Sequence, residues 1–172
     1  MPKNRAFTLL ELLITTSITA LLMLAISSLL ITFLASAYKS RLSQSLREAG
    51  NQAMNQMLEM LRNANEISSP CQSQEYLSEI SLINTDGLST TFREENDRIA
   101  SVSGQQTFYL TQSPVAQDGD YLRDLRFNCS LTPSGKKYLS VSFTLQRGQT
   151  NSPMNNPRSA FLDFHSGVVT RN

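Results

Sequence analysis

The sequence predicts an α+β protein in which one long helix comes first and an antiparallel sheet follows. Two observations carry this prediction. Apolar residues recur with a helical period through the first third of the 172-residue chain, and from residue 79 onward the period changes to two, which is typical of half-buried strands. The balance of 15 lysines and arginines against 14 acidic residues provides no basic surface, so nucleic acid is not an expected partner.

The helix begins with an uninterrupted apolar segment. No charged residue lies between Glu11 and Lys39, and residues 7–37 contain neither proline nor glycine. Since about 20 apolar residues suffice to cross the hydrocarbon core of a bilayer, residues 7–38 are predicted to span a membrane. A core helix of a globular domain does not explain an apolar segment of this length.

Cations flank this segment on both sides. Lys3 and Arg5 precede it and favour a cytoplasmic N-terminus with the rest of the chain outside. Three further cations follow it closely: Lys39, Arg41 and Arg47. The orientation therefore does not follow from flanking charge alone.

An ordinary signal sequence is the alternative interpretation of this segment. Ala35-Ser36-Ala37 has the small residues of a cleavage site, which leaves open an exported or membrane-anchored binding domain with an ordinary signal or anchor. The apolar run nevertheless exceeds the roughly 7 to 15 residues usual in a signal peptide. It also contains Glu11, whose carboxylate would cost about 2.5–3.5 kcal/mol at the centre of an inserted helix and less near an end. Such a group requires a partner from another chain or from a newly made terminus.

The segment Arg5-Ala6-Phe7-Thr8-Leu9-Leu10-Glu11-Leu12-Leu13-Ile14 resembles the processing site of type IV prepilins and type II secretion pseudopilins. The resemblance implies that residues 1–6 are a leader, that a prepilin peptidase cleaves after Ala6, and that the new amine of Phe7 is methylated. It also implies that Glu11 pairs with the terminal ammonium of a neighbouring subunit during assembly, which would neutralise two buried charges.

Two positions depart from the usual pattern of this family. Ala6 stands where glycine is usual, and Ser28 stands where major pilins often carry a helix-opening proline. We therefore interpret the chain as a minor pilin or pseudopilin, most similar to the J-type pseudopilins and W-type minor pilins, rather than as a bulk filament subunit.

The same resemblance implies a location and a set of partners. The expected protein is a structural, non-enzymatic subunit that crosses the inner (cytoplasmic) membrane once, with its C-terminal domain outside. It would then enter a type IV pilus or a type II secretion pseudopilus in the periplasm or at the cell surface. Its expected partners are the prepilin peptidase and methyltransferase, inner-membrane lipid, and other pilin or pseudopilin subunits that contact the N-terminal helix.

Residues 39–69 are predicted to form the amphipathic half of the same helix, which Pro70 would end. Gly50 interrupts this half, which is tolerable if the apolar stripe packs on a sheet. The methionines Met54 and Met57 are expected in the core together with Met60. The stripe comprises Leu42, Leu46, Ala49, Ala53, Met57, Met60, Ala64 and Ile67.

Residues 70–172 are predicted to form a β-rich head, and the resemblance implies a pilin-like fold in which the long helix packs on a C-terminal antiparallel β-sheet. Asp86-Gly87 is a turn signal for a hairpin, and residues 148–157 are expected to form a surface loop. The predicted strands cover residues 80–83, 88–93, 99–102, 107–110, 125–131, 138–146, and one or two strands within 160–164 and 168–170.

Cys71 and Cys129 are the two cysteines of the chain. In an exported domain two cysteines more often pair than not, and a bond here would connect the end of the helix to a strand. Two buried free thiols remain the alternative, because sequence spacing does not establish geometry.

The sequence contains no recognisable catalytic, metal or cofactor site. The single histidine, His165, has no sequence-local arrangement that marks it as a catalytic base, and there is no phosphate-binding or dinucleotide motif. The acidic stretch Gln117-Asp118-Gly119-Asp120, with Asp124 after it, offers oxygen ligands for calcium but lacks the EF-hand spacing, and a plain Asp-Gly turn is the simpler interpretation. Neither a metal nor a cofactor is predicted.

Overall fold

The computed structural model describes residues 8–71, 76–113, 119–148 and 159–171. Within these residues the chain forms one helix followed by nine strands, which confirms the predicted α+β class and the order of its elements. The elements are α1 (Leu9–Asn63), β1 (Glu66–Ile67), β2 (Tyr76–Leu77), β3 (Glu79–Ile83), β4 (Ser89–Glu95), β5 (Arg98–Ser103), β6 (Gln106–Tyr109), β7 (Asp120–Leu131), β8 (Lys137–Gly148) and β9 (Ser159–Val169).

The chain divides into two compact units, residues 1–38 and residues 39–172. The described part of the first unit is helical apart from Thr8. The second unit contains the remainder of α1 and all nine strands.

The strands are antiparallel, as predicted, and they are divided between two sheets, which the sequence pattern did not indicate. Sheet A has the order β1-β3-β4-β5-β6, and sheet B has the order β2-β7-β8-β9. The chain changes sheet at Ser78, because β2 pairs with β7 whereas β3 pairs with β4. Alternation of apolar residues identifies a strand and its buried face, but it carries no information about which strand lies alongside.

The helix ends at Asn63, six residues before the predicted boundary at residue 69. Strand pairing explains the difference: Glu66 lies opposite Ile83 in β3, and the backbone N–H of Asn65 donates to the carbonyl of Ile83 at 2.8 Å. The apolar residue Ile67 is buried as predicted, but it lies on β1 rather than on the helix.

The core of the second unit lies between α1 and the inner faces of both sheets. Met57 is fully buried, Met54 is buried and Met60 is partly buried, which confirms that these methionines pack in the core. The largest fully buried side chains from the sheets include Phe92 of sheet A and Phe127 of sheet B.

Most predicted strands are present, with longer boundaries. β8 has the predicted alternation over its central residues, and the C-terminal strand is one continuous element, β9. Two short strands, β1 and β2, and the first half of β7 were not predicted. The predicted surface loop falls mainly on residues 149–158, which lie outside the described residues.

Candidate membrane and assembly segment

The first turn of α1 is capped by Thr8. Its Oγ1 accepts a hydrogen bond from the backbone N–H of Glu11 at 3.2 Å, and its carbonyl accepts one from Leu12 at 3.2 Å. Thr8 is therefore the N-cap and Glu11 the third helical residue, which is the spacing of a capping box. This spacing is visible in the sequence and could have located the start of the helix there.

Glu11 lies in the first turn of the helix and its side chain is exposed. A carboxylate at this position interacts favourably with the positive end of the helix dipole. Within the part of the chain that the structure describes, Glu11 forms no ion pair, so its charge is available to a group outside that part.

The side chains of residues 8–34 are all exposed, although most of them are apolar. α1 is the one helix among the described residues that is long and apolar enough to cross a membrane. Isolated exposed apolar residues are common on soluble proteins, but a continuous apolar surface of this size requires an apolar environment.

Hydroxyl groups interrupt this apolar surface, and the helix satisfies six of them internally. Each donates to a backbone carbonyl three or four residues earlier, at 2.7–3.1 Å: Thr15, Thr16, Ser17, Thr19, Ser27 and Thr32. Because their donors are occupied, these side chains need no water and are compatible with lipid. The helix also continues without interruption through Ser28, the residue that stands where major pilins often carry a proline.

The other predicted site residues are distributed as follows. Ala6 and Phe7, the predicted cleavage and methylation residues, lie outside the described residues. Cys71 and Cys129 form a disulfide with a Cα–Cα distance of 4.7 Å. This bond joins the segment after β1 to β7 within the second unit.

Two of the acidic residues considered for calcium, Asp120 and Asp124, form ion pairs. Asp120 is fully buried and lies 2.6 Å from the guanidinium of Arg147, which also donates to Ser45 Oγ in α1 at 2.8 Å. Asp124 is exposed and pairs with Arg126 at 3.4 Å, whereas Asp118 lies outside the described residues. In the described ranges no three metal-binding side chains come together.

The buried pair of Asp120 and Arg147 is the polar feature that sequence reasoning missed. These residues are 27 positions apart, and Arg147 is 102 positions from Ser45. No local sequence signal marks such a contact. His165, by contrast, is exposed on β9 opposite Ser142.

An acidic cleft lies where β4 and β5 approach β7. Two adjoining cavities of about 340 and 350 Å³ share Glu94 and Asp124 in their walls. Partial burial raises the pKa of Glu94, and the carboxylates of Asp97 and Asp124 raise it further, against a smaller opposing effect of Arg123.

The comparisons with known proteins bear on the first unit. The family model described as the prokaryotic N-terminal methylation motif matches residues 1–27. This match includes Ala6, Phe7 and Glu11, the capped first turn, and the apolar helix as far as Ser27. No curated protein and no solved structure matches the chain. The chain therefore carries the N-terminal methylation motif of the type IV prepilin-like proteins.

Proposed function

We propose that this chain is a minor pilin or pseudopilin, a structural subunit of a type IV pilus or a type II secretion pseudopilus. One observation carries the proposal. The methylation motif, at residues 1–27, lies on a helix whose side chains are exposed from residue 8 to 34 and uncharged from residue 12 to 38. In this proposal residues 1–6 are the leader, prepilin peptidase cleaves after Ala6, and Phe7 is methylated.

The exposed helix serves the subunit in two environments. As a monomer in the inner membrane it is solvated by lipid, with the second unit, residues 39–172, on the outer side. During assembly, neighbouring helices replace the lipid, and van der Waals packing between them takes over from lipid contacts. The internally bonded hydroxyls support this exchange, because they demand no partner from either environment.

Glu11 specifies the register of assembly. Its carboxylate would pair with the terminal ammonium of Phe7 on an adjacent subunit, and the capped first turn holds it at the exposed surface of the helix. An ion pair in an apolar environment tolerates the loss of neither partner, so a subunit docked in the wrong register would leave both charges unpaired.

The first experiment identifies the mature N-terminus by intact-mass and peptide mass spectrometry of the protein from its native membrane. Methylated Phe7 is the expected result. A first residue of Tyr38 would instead establish ordinary signal cleavage and an exported binding domain. An intact leader would establish a fixed anchor, and either of these results would overturn the proposal.

The role of Glu11 is tested with Glu11→Gln, which keeps the shape of the side chain and removes its charge. We expect membrane insertion to be retained and incorporation into filaments to fall at least tenfold, since roughly 1.4 kcal/mol of lost pairing is a tenfold change. Glu48→Gln is the matched control, because Glu48 is also exposed on α1 but lies beyond the apolar span. Equal incorporation of both variants would contradict the pairing of Glu11.

A further inference from the structure

Lys39 and Arg41 immediately follow the uncharged segment of α1, and both are exposed. In the described part of the chain neither forms an ion pair or a side-chain hydrogen bond. Two unpaired cations at this position are not explained by the orientation of the chain, because positive charge is favoured on the cytoplasmic side of a span. Their surroundings therefore depend on the depth of the helix in the membrane.

The length of the uncharged segment places both cations in a defined layer of the membrane. Residues 12–38 are 27 consecutive residues without a charge, which as a helix extend about 40 Å at about 1.5 Å per residue. A bilayer is roughly 40–45 Å thick with its headgroups included, and an average tilt of about 20° shortens the segment only to about 38 Å. With Glu11 in one headgroup layer, Lys39 and Arg41 therefore lie in the other.

Neighbouring residues agree with this depth. Tyr38 is exposed directly before Lys39, and tyrosine is enriched where a helix leaves the hydrocarbon. Long cationic side chains keep their charged ends among the headgroups while their stems contact apolar surface. Arg47 lies eight residues beyond Lys39, or about 12 Å further along the helix, and is therefore outside this layer.

We propose that Lys39 and Arg41 form a phosphate-binding collar that selects anionic phospholipids in the leaflet on the side of the head. This inference rests on the membrane anchoring in the proposed function. Residues two apart on a helix point to different faces, so each cation binds its own headgroup. The guanidinium of Arg41 matches phosphate with two parallel donors, and the Lys39 ammonium acts as a point charge on the other side of the helix. Anionic lipids are preferred because a zwitterionic headgroup carries its own compensating cation. The collar fixes the depth of the helix while the subunit is in lipid.

The test uses the mature full-length chain in phosphatidylcholine vesicles that contain traces of spin-labelled phosphatidylglycerol or spin-labelled phosphatidylcholine. The fraction of each labelled lipid that the protein immobilises gives its selectivity. We expect the Lys39→Gln/Arg41→Gln variant to lose selectivity for phosphatidylglycerol by roughly two- to fivefold, the upper value being that of one cation at an anionic surface. We also expect about 1 M salt to abolish the selectivity of the wild type.

The matched control is Arg47→Gln/Arg62→Gln, which removes the same charge from exposed positions on the same helix. It should keep the wild-type selectivity. Unchanged selectivity in the Lys39/Arg41 variant, or an equal loss in both variants, would overturn the collar. Flotation of the vesicles reports anchoring separately: protein that floats without lipid selectivity contradicts only the collar, whereas protein that does not float contradicts the anchoring and the collar with it.

Discussion

Glu94 and Glu95 are consecutive residues of β4 whose carboxyl groups have opposite pKa shifts. Partial burial and two nearby carboxylates raise the pKa of Glu94. Hydrogen bonds from Arg93 lower the pKa of Glu95, and Arg93 and Glu95 form an ion pair at 2.8 Å. The two residues lie on opposite faces of the strand, so each experiences a different environment.

We predict that Glu94→Gln stabilises the head at neutral pH. Because the pKa of Glu94 is raised in the folded state, its neutral form stabilises the fold relative to its charged form. This contribution to the free energy of unfolding is fully present below the unfolded pKa and is lost as the pH rises through the folded pKa. Glutamine stays neutral throughout. The free energy of unfolding at pH 7 should rise by about 0.3–0.5 kcal/mol, a small value because the side chain is largely exposed. Chemical denaturation of the full chain in detergent, followed by near-UV circular dichroism, measures the free energy of unfolding. The difference between variant and wild type should vanish near pH 3.

Glu95→Gln is the control with the opposite sign. Its lowered pKa gives stability above the unfolded pKa that is lost as the pH falls through the folded pKa. The variant should therefore be less stable than the wild type at pH 7 and nearly equal to it in acid. If both variants changed stability in the same direction at pH 7, the assigned environments of the two carboxylates would be wrong.

At the level of elements, α1 lies in close contact with sheet B at Gly50. A Cβ at this residue would overlap the ring of Phe164 in β9, and that ring stacks on Phe143 of β8 with centroids 5.1 Å apart. The ring cannot move away from the helix without losing this stacking. Gly50 is therefore required by packing, although it weakens the helix itself.

We predict that Gly50→Ala lowers the free energy of unfolding by about 1–2 kcal/mol, because the overlap costs more than the roughly 1 kcal/mol of helix propensity that alanine adds. In a Phe164→Leu background, where the ring is absent, the same substitution should be neutral or stabilising. Thermal unfolding of the four proteins in this cycle provides the measurement. Equal effects of Gly50→Ala in both backgrounds would show that the Phe164 contact is not the cause.

Gly50 also illustrates what sequence reasoning can and cannot obtain. The helix, its buried stripe and most strands follow from periodicity, because burial on one face imposes a period. The contact between Gly50 and Phe164 joins residues far apart in sequence, and the pairing of β1 with β3 ends the helix early for a reason equally remote. Local patterns contain neither contact, nor do they divide the strands between two sheets.

For the molecule as a whole, the N-terminal methylation motif was easier to predict than the packing of the head. Phe7 and Glu11 belong to one contiguous stretch of sequence that matches the methylation motif. The sequence alone is therefore sufficient to identify the motif. The buried contacts among Ser45, Asp120 and Arg147 depend on the complete fold, since they bring together α1, β7 and β8. No subset of the sequence specifies them.

This buried ion pair leads to a prediction about the stability of the whole head. Asp120 is fully buried, and its Oδ2 accepts no hydrogen bond from the described residues, so Arg147 is the group that compensates its charge. Asp120→Asn should lower the free energy of unfolding by about 3–5 kcal/mol, because it leaves the guanidinium buried without a counter-charge. Arg147→Met should have a similar effect for the converse reason.

The double variant Asp120→Asn/Arg147→Met removes both charges and should cost clearly less than the sum of the two single effects, with a coupling of about 1–3 kcal/mol. Chemical denaturation of the full chain in detergent, followed by near-UV circular dichroism, measures all four proteins. Arg126→Met is the surface control: its pair with Asp124 is exposed on both sides, so its loss should change stability by at most about 0.5 kcal/mol. Additive effects at Asp120 and Arg147 would mean that the two charges do not stabilise each other, and that the contacts of Arg147 with α1 account for its burial instead.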